Sequence, residues 1–263
     1  MRSRHAQTHE DLRLPFADGE IFVRRWAGTN NVIAPVILLH DSLGSVGLWR
    51  DFPMRLVEAT GRTAIAYDRL GFGKSSASAS PLPFDFIERE SEALRELREA
   101  LCIDDHVLLG HSVGGAMALA SAARFPQGCR AVVSLAAQAF VEDRTREGIH
   151  TARTSLSTPD GIARLSRWHG EKARWVLEAW TETWLAPAFA DWSLHPLLGR
   201  INCPTLVIHG KDDEYGSAAF PEAISRGIGA HARMLLLEGV GHQPHREQAD
   251  VVLAAIADFL RDG

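Results

Sequence analysis

The sequence predicts an α/β fold: a mostly parallel central sheet flanked by helices, interrupted by one inserted helical segment. Three observations predict it. Short apolar runs end in Gly, His or Asp, and longer amphipathic stretches follow them. The runs are continuously apolar, as strands buried on both faces are, and strands separated by helices imply parallel pairing. From Gln138 to Pro196 the alternation stops, leaving helix and loop signals without a convincing strand. Residues 1–137 and 197–263 therefore read as the main domain, and residues 138–196 as a helical cap inserted into it.

Taken in order, Phe16 to Val23 reads as a hairpin turning at Asp18-Gly19. Val36 to Leu39 is a short strand ending at His40. Leu48 to Thr60 forms a helix that stops at Gly61, with Pro53 in its first turn or at a kink. Thr63 to Tyr67 is a strand, Phe84 to Ala100 a charged helix, Val107 to Leu109 a strand, and Val113 to Arg124 a helix of small residues. Further strands run from Ala131 to Leu135, Thr205 to His209 and Arg233 to Leu237, and a helix from Gln248 to Leu260 closes the chain.

Composition narrows the function classes. With 263 residues, 46% hydrophobic and 23% charged, the chain suits one soluble domain with an insertion. A net charge of −5 without a basic run argues against a nucleic-acid partner. No run of about 18 apolar residues is present, so no membrane span is expected. The cysteines are Cys102, Cys129 and Cys203, an odd number without a CxxC pair. They suit a reducing compartment, and Met1 to Leu14 lacks the apolar stretch of a signal peptide, so a cytoplasmic location is expected.

Gly110-His111-Ser112-Val113-Gly114-Gly115 follows a strand and opens a helix, the context that G-x-S-x-G requires. The turn is so tight that a Cβ at position 110 or 114 would crowd neighbouring backbone. It presents Ser112 at the positive end of a helix and aims the Val113 N–H at an oxyanion beside the serine. A serine needs a base. His242, in Gly241-His242-Gln243-Pro244-His245, lies beyond the last strand at the carboxyl edge of the sheet; His245 is its rival. An acid should orient the base, and Asp212, Asp213 and Glu214 all follow the strand Thr205 to His209.

The order Ser, Asp, His and four segments together resemble the α/β-hydrolase superfamily from near residue 12 onward. The segments are His40-Asp41-Ser42-Leu43-Gly44, Tyr67-Asp68-Arg69-Leu70-Gly71-Phe72-Gly73-Lys74-Ser75, the elbow, and Gly241-His242. The resemblance implies a triad of Ser112, Asp213 and His242, because the family's turn after this strand reads G-x-x-D. It also implies that Ser42 and Val113 supply the oxyanion N–H groups. The family usually has His-Gly where this chain has His40-Asp41. A side chain at position 41 is expected to bear on the Ser42 amide and, facing the site, to repel anionic substrates.

The chemistry expected is hydrolysis of a small or medium carboxylic ester, a lactone or a thioester, through an acyl-enzyme. One alternative is carbon–carbon bond hydrolysis in aromatic breakdown, although those relatives carry a His-Gly-x-Gly-Pro-Gly-like loop. Another is a slow-turnover receptor that keeps its triad. Epoxide hydrolases and haloalkane dehalogenases need Asp at the elbow, where Ser112 stands. A P-loop ending at Gly73-Lys74-Ser75 needs glycine at 68, which is Asp68, and no H-E-x-x-H occurs. No metal and no cofactor are expected. Trp168, Trp175, Trp180, Trp184 and Trp192 fall in the insertion. Leu177, Trp180 and Trp184 share one helix face, which either packs the cap down or lines a substrate pocket with His111. From Gln138 to Arg200 eight basic residues balance eight acidic ones, so charge gives no substrate preference there.

Overall fold

The computed structural model describes residues 9–16, 19–30 and 32–261. Strands β1 (His9–Phe16) and β2 (Gly19–Trp26) pair antiparallel from Phe16 opposite Gly19 to His9 opposite Trp26. This is the expected hairpin in a longer form; Asp18 of its turn lies outside the described residues. Strands β3 (Val36–Leu39), β4 (Ala64–Tyr67), β5 (His106–His111), β6 (Cys129–Leu135), β7 (Thr205–Gly210) and β8 (Ala232–Leu237) complete one sheet. Its order is β1-β2-β4-β3-β5-β6-β7-β8, antiparallel at β1/β2 and β2/β4 and parallel elsewhere.

The central strands bury both faces, and alternate residues feed two cores. Ile37, Leu39, Ile65, Tyr67, Leu108 and Val207 belong to one; Val36, Leu38, Ala64, Ala66, Leu109 and Ile208 belong to the other. Each of the buried Val, Ile and Leu side chains contributes about 1.5–3 kcal/mol. On the first face lie α2 (Phe86–Ala100), α3 (Val113–Arg124) and α8 (Ala219–Ile228); on the second lie α1 (Phe52–Thr60) and α10 (Ala249–Phe259). One expected helix is divided. Pro53 stands in the first turn of α1, so Val46–Trp49 forms a separate 3₁₀ turn. The expected closing helix is α10, and a separate short helix, α9 (Pro244–Glu247), precedes it. Helix α8 has no counterpart among the sequence expectations.

Between β6 and β7 run α4 (Asp143–Leu156), α5 (Pro159–His169), α6 (Ala173–Leu185) and α7 (His195–Leu198), joined by one isolated bridge between Phe140 and Ser193. This helical segment is tied down at two sides. Thr145 Oγ1 donates to the Tyr215 carbonyl (2.7 Å), and Glu142 accepts from the Ser217 N–H (2.6 Å). On the other side Lys172 donates to the carbonyls of Gly73 (2.9 Å) and Ser75 (2.8 Å). His169 accepts from the Gly73 N–H (2.9 Å) and donates to the Leu43 carbonyl (3.0 Å). The Gly73-Lys74-Ser75 stretch wraps a buried carboxylate: Asp68 accepts from the N–H groups of Lys74 (2.7 Å) and Val46 (2.6 Å).

Burial pushes five histidines, His40, His106, His169, His209 and His245, below the ordinary imidazole range. The unfolded chain takes up protons at these sites below about pH 6.5, while the native chain does so only at lower pH. Stability is therefore full above that value and falls as pH falls, by up to about 1.4 kcal/mol per pH unit for each group. Among the described residues His242 is the one histidine with a raised pKa, and it acts in the opposite sense, together with the Asp68 and Glu90 carboxyls that burial raises; the five lowered histidines outnumber these three groups. Melting curves should drop between pH 7 and 5. A flat profile contradicts the neutral assignments.

Candidate active site

The sheet order reverses between β3 and β5, since the chain leaves β3 for β4 on one side and returns to β5 on the other. The carboxyl ends of strands at such a switch point open a crevice. The loop His40–Gly44 leaves β3 there, and Ser112 leaves β5 there. Ser112 has φ 58° and ψ −126°, a conformation that residues with a side chain seldom adopt. The glycines around it are required sterically. A Cβ on Gly110 would lie 2.0 Å from the Gly114 carbonyl oxygen, and one on Gly114 would lie 2.2 Å from that of Leu39. The Ser112 N–H is held by the Leu135 carbonyl (2.8 Å). The Val113 N–H is the first of α3 and has no intrahelical partner by position.

Ser112, His242 and Asp213 come together. His242 Nε2 lies 3.0 Å from Ser112 Oγ, and its Nδ1 lies 2.9 and 2.8 Å from the two Asp213 carboxylate oxygens. A carboxylate only accepts, so Nδ1 donates and Nε2 is left to take the serine proton. Asp213 is fully buried; Asp212, next to it, is exposed. Burial alone would raise the Asp213 carboxyl, but the hydrogen bond and charge of His242, the charge of His209 and the Tyr215 N–H (2.8 Å) bring it below its ordinary value. Burial alone would lower His242, and the Asp213 hydrogen bond and charge overcome it to raise the imidazole. His245 is a core residue, packed on Trp49 (5.1 Å between ring centroids), Phe52 (5.5 Å) and His111 (4.5 Å).

Ser112 opens into a cavity of about 250 Å³. Ser42, His111, Trp180 and Trp184 all line it, with Tyr215 and Gln138. A larger groove, about 660 Å³ beside Tyr67, Glu90 and Trp175, does not reach the serine, so chemistry rather than size selects the site. His111 is held from both ends: Nε2 donates to the His242 carbonyl (2.7 Å), and Nδ1 lies 3.3 Å from Asp41. Asp41 also accepts from the Leu43 N–H (2.9 Å), inside the loop that carries Ser42. His40 accepts from the Arg69 N–H (3.2 Å) and donates to the Asp41 carbonyl (2.8 Å), fixing that loop to the one after β4. One residue at the serine was invisible to sequence reasoning. The Gln138 amide meets Ser112 Oγ with both ends, its Nε2 donating at 3.1 Å and its Oε1 lying 3.4 Å away, while His242 Nε2 is the nearer acceptor for the hydroxyl proton at 3.0 Å.

A parallel-centred sheet with a serine elbow after β5 and a histidine loop after its last strand defines the α/β-hydrolase class. The chain belongs to the alpha/beta hydrolase family, whose family model matches residues 36–255. It is similar to serine hydrolase BPHL of Mus musculus, 30% identical over 243 residues, which cover 86% of this chain and 79% of that protein. It is also similar to proline iminopeptidase of Lactobacillus helveticus strain DPC 4571, 24% identical over 289 residues, covering 94% and 96% of the two chains. Among solved structures, the enol-lactonase from Burkholderia xenovorans LB400 shares the fold with a TM-score of 0.74 at 22% identity, over 95% of this chain and 100% of that one.

The two cavity indoles differ in setting. Trp184 is buried and packs edge-on against Phe189 (5.1 Å) and Trp192 (5.5 Å). Trp180 is half-buried, against Tyr215 (5.9 Å). Trp184→Ala should cost about 3–5 kcal/mol of stability, read from melting curves, and slow all esters alike. Trp180→Ala should instead weaken kcat/KM for bulky esters by roughly 1–3 kcal/mol, with little effect on acetates. Uniform losses in both variants contradict a substrate-facing Trp180.

Proposed function

We propose that this hydrolase cleaves a small or medium carboxylic ester, or a lactone or thioester, through an acyl-enzyme on Ser112. The observation that carries the proposal is the unbroken line from Asp213 through His242 to Ser112 Oγ at the mouth of the cavity. His242 Nε2 takes the serine proton as Oγ bonds to the substrate carbonyl carbon. The carbonyl electron pair moves to oxygen, where the N–H groups of Val113 and Ser42 receive it. The intermediate collapses with loss of the alcohol or thiol, which leaves with the proton from Nε2. Water then gives a proton to Nε2 and attacks the acyl carbon; Ser112 leaves, regains the proton, and the acid is released.

In this reading residues 138–196 act as a cap that shapes the substrate space, while the chemistry belongs to the main domain. The placement of Trp180 and Trp184 on the cavity wall supports that division. Three free cysteines support a cytoplasmic setting. No helix among the described residues is long and apolar enough to cross a membrane.

Asp213→Asn should lower kcat by roughly 10²–10⁴-fold, and Asp212→Asn should do far less. Because His242 works unprotonated and its pKa is raised, kcat/KM should climb with pH through a limb above about 6.5. Asp213→Asn removes the groups that raise it, so the residual activity should show that limb at lower pH. Equal losses in the two variants, or an unmoved limb, contradict Asp213 as the orienting acid.

A further inference from the structure

The charges on the cavity wall lead one step beyond the ester-hydrolase reading, on which the inference rests. Residues 138–200 balance in total charge, but the cavity wall does not. Its strongly charged side chains are Asp41, Arg164 and Arg246. The Asp41 carboxylate is already engaged, with one oxygen on the Leu43 N–H (2.9 Å) and the other facing His111 (3.3 Å). Burial alone would raise its pKa, yet the hydrogen bond and charge of His111 keep it well below the usual carboxylate range. Arg246 donates only to neutral acceptors, the Leu48 carbonyl (2.5 Å) and Gln243 Oε1 (2.7 Å), and its buried Nε has no partner among the described residues.

Arg164 stands on α5 beside Leu165 and Trp168, both also on the cavity wall. It is exposed and has no hydrogen bond or ion pair among the described residues, although Asp160 lies one helical turn before it. A guanidinium left open over a half-apolar cavity matches a planar two-oxygen anion, and such pairs strengthen as water is displaced. We propose that the natural substrate is an ester, lactone or thioester carrying a second, free carboxylate, held at Arg164 in the positive field of Arg246 while its scissile carbonyl lies over Ser112. The Asp41 carboxylate, expected to repel anions, is turned to His111 and the loop amide, and two guanidiniums face it on the cavity wall.

Paired substrates test this. 4-Nitrophenyl hydrogen glutarate and its methyl ester differ in an acyl-side carboxylate; 4-acetoxybenzoate and its methyl ester differ in one on the leaving group. In at least one pair the charged member should have the higher kcat/KM, by roughly 10–100-fold, mostly through KM, and the ratio should shrink as salt rises. Arg164→Gln should lower that ratio by roughly tenfold or more, and Arg164→Lys should restore part of it. Arg167→Gln, on the same helix but off the cavity wall, should leave the ratio in place. No preference in either pair, or a preference that survives Arg164→Gln, overturns the proposal while leaving the ester reading intact. Failure to cleave any of the four esters overturns both.

Discussion

The chain passes from β5 into α3 through a turn with no room for a Cβ on either side of Ser112, and the catalytic edge is arranged around that turn. A residue with φ 58° and ψ −126° costs of the order of 1–3 kcal/mol and persists only where its surroundings over-determine it. Here they do. The Ser112 N–H is bonded across to β6, Gly114 lies against the Leu39 carbonyl at the end of β3, and Gly115 leaves no space before Ala137. The strain brings Oγ out of the sheet and beside the first free N–H of α3. The loops after β3, β7 and β8 then converge on one point because the parallel register places all those strand ends on the same edge.

Histidines hold those loops, and the environment of His242 sets it apart from the others. His40 and His169 each use one ring nitrogen to accept from a backbone N–H and the other to donate to a carbonyl, which only the neutral ring can do. Burial favours that neutral form. Together they join the loop carrying Ser42 to the loop after β4 and to the helical segment. His242 is buried as well, but its Nδ1 meets a carboxylate, and its pKa moves the other way. His111 fixes the backbone of His242 through its carbonyl. His242 therefore differs from the fastening histidines His40 and His169 in its partner, a carboxylate in place of a carbonyl.

Much of this edge was legible in the sequence because its signals are local. Glycines at 110 and 114 report a tight turn, and the continuous apolar runs report strands buried on two faces. The strand-end positions of Asp213 and His242 were legible too; the resemblance favoured Asp213 over Asp212, and the buried Asp213 carboxylate meets His242 Nδ1 while Asp212 is exposed. What escaped depends on contacts between distant segments. Gln138 is a lone amide after a strand, and only the folded chain brings it to Ser112. The pairing of Asp41 with His111 spans 70 residues. A charge tally of the inserted segment balances, and it hides Arg164 because a tally does not record which side chain faces the cavity. The helix boundary that shifted did so at Pro53, which fits a first helical turn, so α1 starts at Phe52 and residues 46–49 form a turn of their own.

The central claim is that Ser112 becomes covalently acylated and that His242 makes it reactive. Rapid acid quench of the enzyme during turnover of an activated ester, followed by intact-mass and peptide mass spectrometry, tests it directly. The account predicts one acyl adduct per chain, mapped to Ser112, appearing in a burst and decaying at the rate of hydrolysis. It also predicts no adduct in Ser112→Ala and a far slower one in His242→Ala. Steady hydrolysis without any adduct, or an adduct on another residue that persists in Ser112→Ala, would contradict it.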